Sequence, residues 1–91
     1  MRESTIEKAV CAYAKTKGCI TLKLSGMNQR GQPDRMFIRS GQVLFMEFKA
    51  PGKRPTLLQL RWLINLADHG MTVAWCDDIA NGKAYIDRTF I

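Results

Sequence analysis

The chain has 91 residues, enough for one domain near the lower limit of what buries an independent core and too few for a second module. With 46% hydrophobic and 24% charged residues and no low-complexity tract or internal repeat, it is neither disordered nor repetitive, and it has no apolar run of the length that a membrane span or signal segment needs. The 14 Lys and Arg against 8 Asp and Glu give a net charge of +6, which favours a polyanionic partner through counterion release.

Cys11, Cys19 and Cys76 are odd in number, lack C-x-x-C spacing and sit in apolar patterns, and His69 is the only histidine. A zinc site and a disulfide framework are therefore not expected, and the thiols read as reduced core residues of a soluble intracellular chain.

In chain order, Ser4-Thr5-Ile6-Glu7 has the form of a capping box, and Ile6, Val10, Tyr13 and Ala14 then recur at helical spacing up to Gly18, predicting a helix over 4–17. Cys19 to Leu24 alternates like a strand, and Ser25 to Gly31 reads as a polar, flexible loop. Asp34 to Ile38 and Gln42 to Lys49 are two further strands, joined as a hairpin by Ser40-Gly41, and Pro51-Gly52 stops the third strand. Thr56-Leu57-Leu58-Gln59 opens a second helix with another capping-box pattern, ending near His69-Gly70. Met71 to Cys76 is an apolar fourth strand, expected to be central, and Asp77-Asp78 begins a short last helix over 78–88, weakened by Gly82. The order is αβββαβα, an α/β (α+β) arrangement with a mixed four-stranded sheet flanked by helices, because a helical crossover usually returns a parallel strand.

The chemistry follows from side-chain direction. In the third strand the period of two places Val43, Phe45, Glu47 and Lys49 on one face and Leu44, Met46 and Phe48 on the other. Glu47 and Lys49 thus emerge together at the end of an apolar strand, and the hairpin brings Asp34, at the head of the neighbouring strand, close to them. Two adjacent carboxylates raise each other's pKa unless a cation lies between them. Hard oxygen ligands without Cys or His select magnesium, or manganese in its place, and the neighbouring lysine suits orienting an attacking water and stabilising charge on a phosphate. Pro33 fixes the entry to the strand, and Gly31 is expected to let a phosphate backbone approach closely.

An acid after proline followed by Glu-x-Lys on the next strand resembles the PD-(D/E)XK nuclease superfamily and its restriction-endonuclease-like core. More closely, Gly31-Gln32-Pro33-Asp34, Glu47-Phe48-Lys49, a helical Glu7 and a helical Gln59 resemble the VRR-NUC family over nearly the whole chain. The resemblance implies a magnesium-dependent DNA endonuclease in which Asp34 and Glu47 bind metal, with Glu7 as an additional acid and the backbone carbonyl of Phe48 as a further ligand. It implies Lys49 as the catalytic lysine and Gln59 as the glutamine at the start of the following helix. It also implies branched DNA, such as four-way junctions or flaps, as the substrate.

Glu7 falls on a helical wheel beside Val10, Ala14 and Cys11 and leans inward, although it also fits the third residue of a capping box. Gln59 fits a capping box with Thr56, yet lies opposite the polar stripe of Arg61, Asn65 and Asp68. Lys23, Arg30, Arg35, Lys53 and Arg54 surround the same loops as candidate DNA phosphate contacts, while Trp62 and Trp75 read as core or interface. Leu57, Leu58 and Ile64 widen the apolar face of the second helix, which predicts a homodimer whose two symmetric sites suit a branched junction. The chain carries no extension for choosing a substrate, so specificity is expected from the core, from a dimer or from a targeting partner protein. The reading of a different class is a DNA-binding or assembly module that keeps this fold without turnover.

Overall fold

A computed structural model describes residues 1–24 and 30–91; most of the loop expected over 25–31 lies outside the described residues. Helix α1 (Glu3–Thr16) is followed by β1 (Ile20–Lys23), β2 (Arg35–Arg39) and β3 (Gln42–Phe48), then α2 (Leu57–Asp68), β4 (Thr72–Cys76) and α3 (Ile79–Thr89). The order matches the sequence reading element for element. The strands lie in the spatial order β1-β2-β3-β4, with the first two pairs antiparallel and β3 parallel to β4. A meander followed by a helical crossover gives this mixed sheet.

Local chemistry fixes most of the boundaries. The β2–β3 hairpin turns through Ser40 (φ 49°) and Gly41 (φ 78°), two positive φ values in succession, which matches the right-handed twist of the flanking strands. The Thr56 hydroxyl accepts from the Gln59 N–H at 3.2 Å while Gln59 Oε1 accepts from the Thr56 N–H at 2.8 Å, closing the predicted capping box of α2. Asp78 caps α3 by accepting from the Asn81 N–H at 2.6 Å. The box expected at Ser4 and Glu7 does not form. Arg2 is the N-cap of α1 and makes no side-chain cap, so Glu7 lies a full turn inside the helix with its carboxylate free for other work.

Helices α1 and α3 cover one face of the sheet. Ile6, Val10 and Ala14 from α1 and Ile86 and Phe90 at the chain's C-terminal end pack on Phe37, Leu44, Met46 and Phe48, with Ala74 and Cys76 completing the cluster. Phe37 and Phe48 are fully buried, and each contributes on the order of 2 kcal/mol of transfer free energy. Gly82, read from sequence as a weak point of α3, is where α3 meets α1: a Cβ there would lie 2.5 Å from Val10 Cγ2 and 3.2 Å from Cys76 Sγ. The residue sacrifices helix propensity for close approach of the two helices.

Helix α2 packs beside β4, and its buried Leu63 lies outside the main core cluster. The expectation that β4 is central is incorrect. It is an edge strand, and its apolar character reflects cover by α2 and α3 rather than strands on both sides. Gly31 sits at φ 81°, and a Cβ there would come within 2.7 Å of Leu58 Cγ, so the glycine permits the close approach of α2. Among the described residues no helix is long and apolar enough to cross a membrane.

Candidate active site

The hairpin register sets the site. Arg35 is paired with Met46, which places Asp34 opposite Glu47 one step further along, and the Asp34 N–H donates to the Met46 carbonyl at 3.1 Å. Directly opposed residues project from the same face. The carboxyl of Asp34 is fixed by the backbone of the facing strand, with Oδ2 accepting from the Phe48 N–H at 2.8 Å. Lys49 follows as β3 ends, its Nζ 3.6 Å from Glu47 Oε2. The structure therefore brings Asp34, Glu47 and Lys49 together.

Glu47 is 2% exposed, and its Oε1 has no hydrogen-bond partner among the described residues. A buried carboxylate with one oxygen unpaired is costly, and native structures retain few such groups. Burial, then the charge of Asp34, push Glu47 up to about 7, with Lys49 opposing. Asp34 is raised as well, by burial first; the Phe48 N–H opposes this and the charge of Glu7 adds to it. Two raised carboxyls side by side, one with an orphaned oxygen, form a donor set suited to a divalent cation. Among the described residues no three His, Cys, Asp or Glu side chains converge into a ready-made metal cluster, so the fit rests on this pair.

Glu7, expected as an additional metal-binding acid, is held by two cations. Its Oε2 accepts from Arg35 Nε at 2.6 Å and from Lys23 Nζ at 3.4 Å, so the carboxylate is neutralised by cations on β2 and β1. A second acid, Glu3, lies one turn earlier on the same face of α1. Its pKa is raised by partial burial and then by Asp34, and its charge acts on Glu47, whereas Glu7 is not among the main influences there. The i, i+4 spacing of Glu3 and Glu7 was the sequence signal of this shared face, obscured by reading Ser4 as the N-cap.

Gln59 closes the cap of α2. Its side-chain oxygen is engaged by Thr56 in the cap of α2. Arg30 is exposed, and its carbonyl accepts from Trp62 Nε1 at 2.8 Å, tying the loop before Pro33 to α2. Lys53 and Arg54 are exposed on the β3–α2 connection, while Lys23 and Arg35 line a groove beside α1. Burial pushes the Cys76 thiol up to about 12, so it supplies no thiolate, and Cys11 and Cys19 are raised by burial too.

The chain is similar to known proteins in sequence and in fold. No protein-family model matches the chain. A solved VRR_NUC domain superposes with a TM-score of 0.84 at 23% identity, covering 93% of this chain and 94% of that one. A second solved structure, a VRR_NUC domain protein, gives 0.79 at 17% identity over 98% and 88% of the two chains. A protein named "Putative nuclease p44" from Acyrthosiphon pisum secondary endosymbiont phage 1 is 40% identical over 62 residues, 67% of this chain and 67% of its own length. The chain belongs to the VRR-NUC family of nucleases. In this VRR-NUC nuclease the acids and lysine stand at the open end of the β2–β3 hairpin, away from the Ser40-Gly41 turn. The strand pair serves as a rigid mount for the site.

Proposed function

We propose that this nuclease is a magnesium-dependent endonuclease that hydrolyses DNA phosphodiesters, with branched DNA as the preferred substrate. The observation that carries the reading is the buried, orphaned carboxyl of Glu47 opposite Asp34 and beside Lys49. Asp34, Glu47 and the backbone carbonyl of Phe48 would hold magnesium, or manganese in its place, with Glu7 and Glu3 the further acids that α1 offers. When bound, the cation supplies Lewis-acid stabilisation of the scissile phosphate and lowers the pKa of an attacking water.

The chain's own residues do the rest. The Phe48 N–H holds one Asp34 oxygen, leaving the other to accept from a ligand. Lys49, tethered by Glu47, presents an ammonium that orients the nucleophile and stabilises negative charge as it builds on the phosphate. Lys23, Arg30, Arg35, Lys53 and Arg54 supply positive charge around the site for flanking phosphates.

Branched-DNA preference goes with a homodimer. Leu57 is 65% and Ile64 60% exposed on α2, an apolar surface that a second copy would cover. Two symmetric sites then suit two strands of a junction. A targeting partner protein on the same surface is the competing assignment, and light scattering of the purified chain separates them.

The test compares wild type with Lys49→Ala on plasmid, duplex, flap and four-way-junction DNA in magnesium, manganese or EDTA. Cleavage by wild type alone, abolished by EDTA and strongest on the junction, is expected. Equal cleavage by the variant, or none by either, overturns the catalytic assignment, and binding without cleavage favours a module that keeps the fold without turnover.

A further inference from the structure

A groove of about 480 Å³ lies between α1 and β1 and reaches to Arg35 at the start of β2. Four cations line it, Lys8, Lys15, Lys23 and Arg35, against a single carboxylate, Glu7. Lys8, Ala12 and Lys15 recur at i, i+4 and i+7 and so form one stripe along the helix, with the small Ala12 keeping the groove open between the two lysines. Glu7 holds Arg35 through Nε and Lys23 through Nζ. Arginine has five N–H donors, so the terminal guanidinium nitrogens of Arg35 retain capacity for a further anion. Lys8 and Lys15 are exposed and make no ion pair among the described residues.

We propose that this groove is a second nucleic-acid subsite. Lys8 and Lys15 on α1, with Lys23 and Arg35 opposite, receive the phosphates of the DNA strand that continues from the cleavage site, and Glu7 positions the opposite pair. The proposal rests on the nuclease reading and deepens it. Arg35 follows Asp34 directly in the chain and its side chain leaves the opposite face of the strand, so the groove lies around the strand end from the acids and runs along α1. Seven residues separate Lys8 from Lys15, about 10 Å along the helix axis. Two lysines at this separation meet two phosphates of one strand, and contacts of this kind set register and affinity without reading bases.

The experiment uses the full chain. Wild type, Lys8→Ala/Lys15→Ala and a control with equal charge loss on α3, Lys83→Ala/Arg88→Ala, are compared in two assays. The first is binding of a fluorescein-labelled duplex over a range of potassium chloride concentrations with EDTA present. The second is hydrolysis of bis(p-nitrophenyl) phosphate in manganese, a substrate too small to reach the groove. The groove variant is expected to flatten the slope of log affinity against log salt by about 2, at roughly 0.9 per phosphate contact. It is expected to leave hydrolysis of the small substrate unchanged, while the control keeps the wild-type slope. A slope that falls no further than in the control overturns the proposal. Failure of the nuclease reading is separate: wild type would then leave the small phosphodiester intact, whereas the groove-dependent slope would still be seen. Circular dichroism of each variant confirms folding, and the more conservative Lys8→Gln/Lys15→Gln pair repeats the test if the alanine variant is unfolded.

Discussion

Replacing Glu47 with glutamine should make the metal-free fold more stable at alkaline pH. Burial and Asp34 push Glu47 from the ordinary value of 4.5 up to about 7. A carboxyl whose folded value is raised favours folding in its protonated form, so the associated stability is fully present below about pH 4.5 and is lost as pH rises through about 7. Each pH unit between the unfolded and folded values is worth about 1.4 kcal/mol, so the ionised side chain costs the fold about 3 kcal/mol above that range. Between about pH 5 and about pH 8 the change is about 2.5 kcal/mol. Glu47→Gln removes this dependence and also removes the 3.6 Å ion pair with Lys49, whose stabilising effect is already included in the net rise. Urea denaturation without metal, followed by fluorescence of Trp62 and of Trp75, the residue paired with Glu47 across β3 and β4, measures the difference at both pH values. Asp34 and Glu3 titrate in both proteins and largely cancel in the comparison. The variant should gain on wild type by about 2 kcal/mol on going from about pH 5 to about pH 8, and magnesium at the higher pH should close the gap by stabilising wild type alone. If the gap stays constant within about 0.5 kcal/mol across that range, Glu47 is not a strained ionised carboxyl and the electrostatic basis of the site fails.

Three further outcomes are expected. Glu3→Gln should reduce hydrolysis of a small phosphodiester at least tenfold, about 1.4 kcal/mol of transition-state stabilisation, whereas Glu7→Gln should mainly raise the KM for DNA; steady-state kinetics on both substrates would show the reverse if Glu7 were the metal-facing acid. Gly82→Ala should lower stability by about 1–3 kcal/mol because its Cβ would meet Val10 Cγ2 at 2.5 Å, and Val10→Ala in the same chain should recover part of that loss; additive losses in denaturant titrations would disprove the contact. Leu57→Glu/Ile64→Glu should yield a monomer by light scattering with thermal stability close to wild type, since both residues are largely exposed; wild type that is itself monomeric at micromolar concentration rules out the dimer.

The αβββαβα order was legible in the sequence because its signals are local. The Thr56–Gln59 capping box, the Ser40-Gly41 turn and the Asp78 cap each act within four residues, and the structure reproduces all three. Asp34, Glu47 and Lys49 were legible for a related reason: strand periodicity and a two-residue turn fix which side chains face each other across a hairpin. What was not legible depended on contacts distant in the chain. The position of β4 at the edge, the use of Gly31 and Gly82 for close helix approach, and the turning of Glu7 to Arg35 all join residues more than twenty positions apart.

The sequence by itself thus determined the grouping of Asp34, Glu47 and Lys49, because the pleat and the turn leave one arrangement of those three side chains. Only the tertiary structure decided what the two acids of α1 meet. Glu3 and Glu7 share one helix face, and their roles separate only once Arg35 and Lys23 are brought against Glu7 by the packing of α1 on the sheet. Tertiary packing likewise seals Glu47 at 2% exposure, and that burial turns an ordinary glutamate into one poised near pH 7.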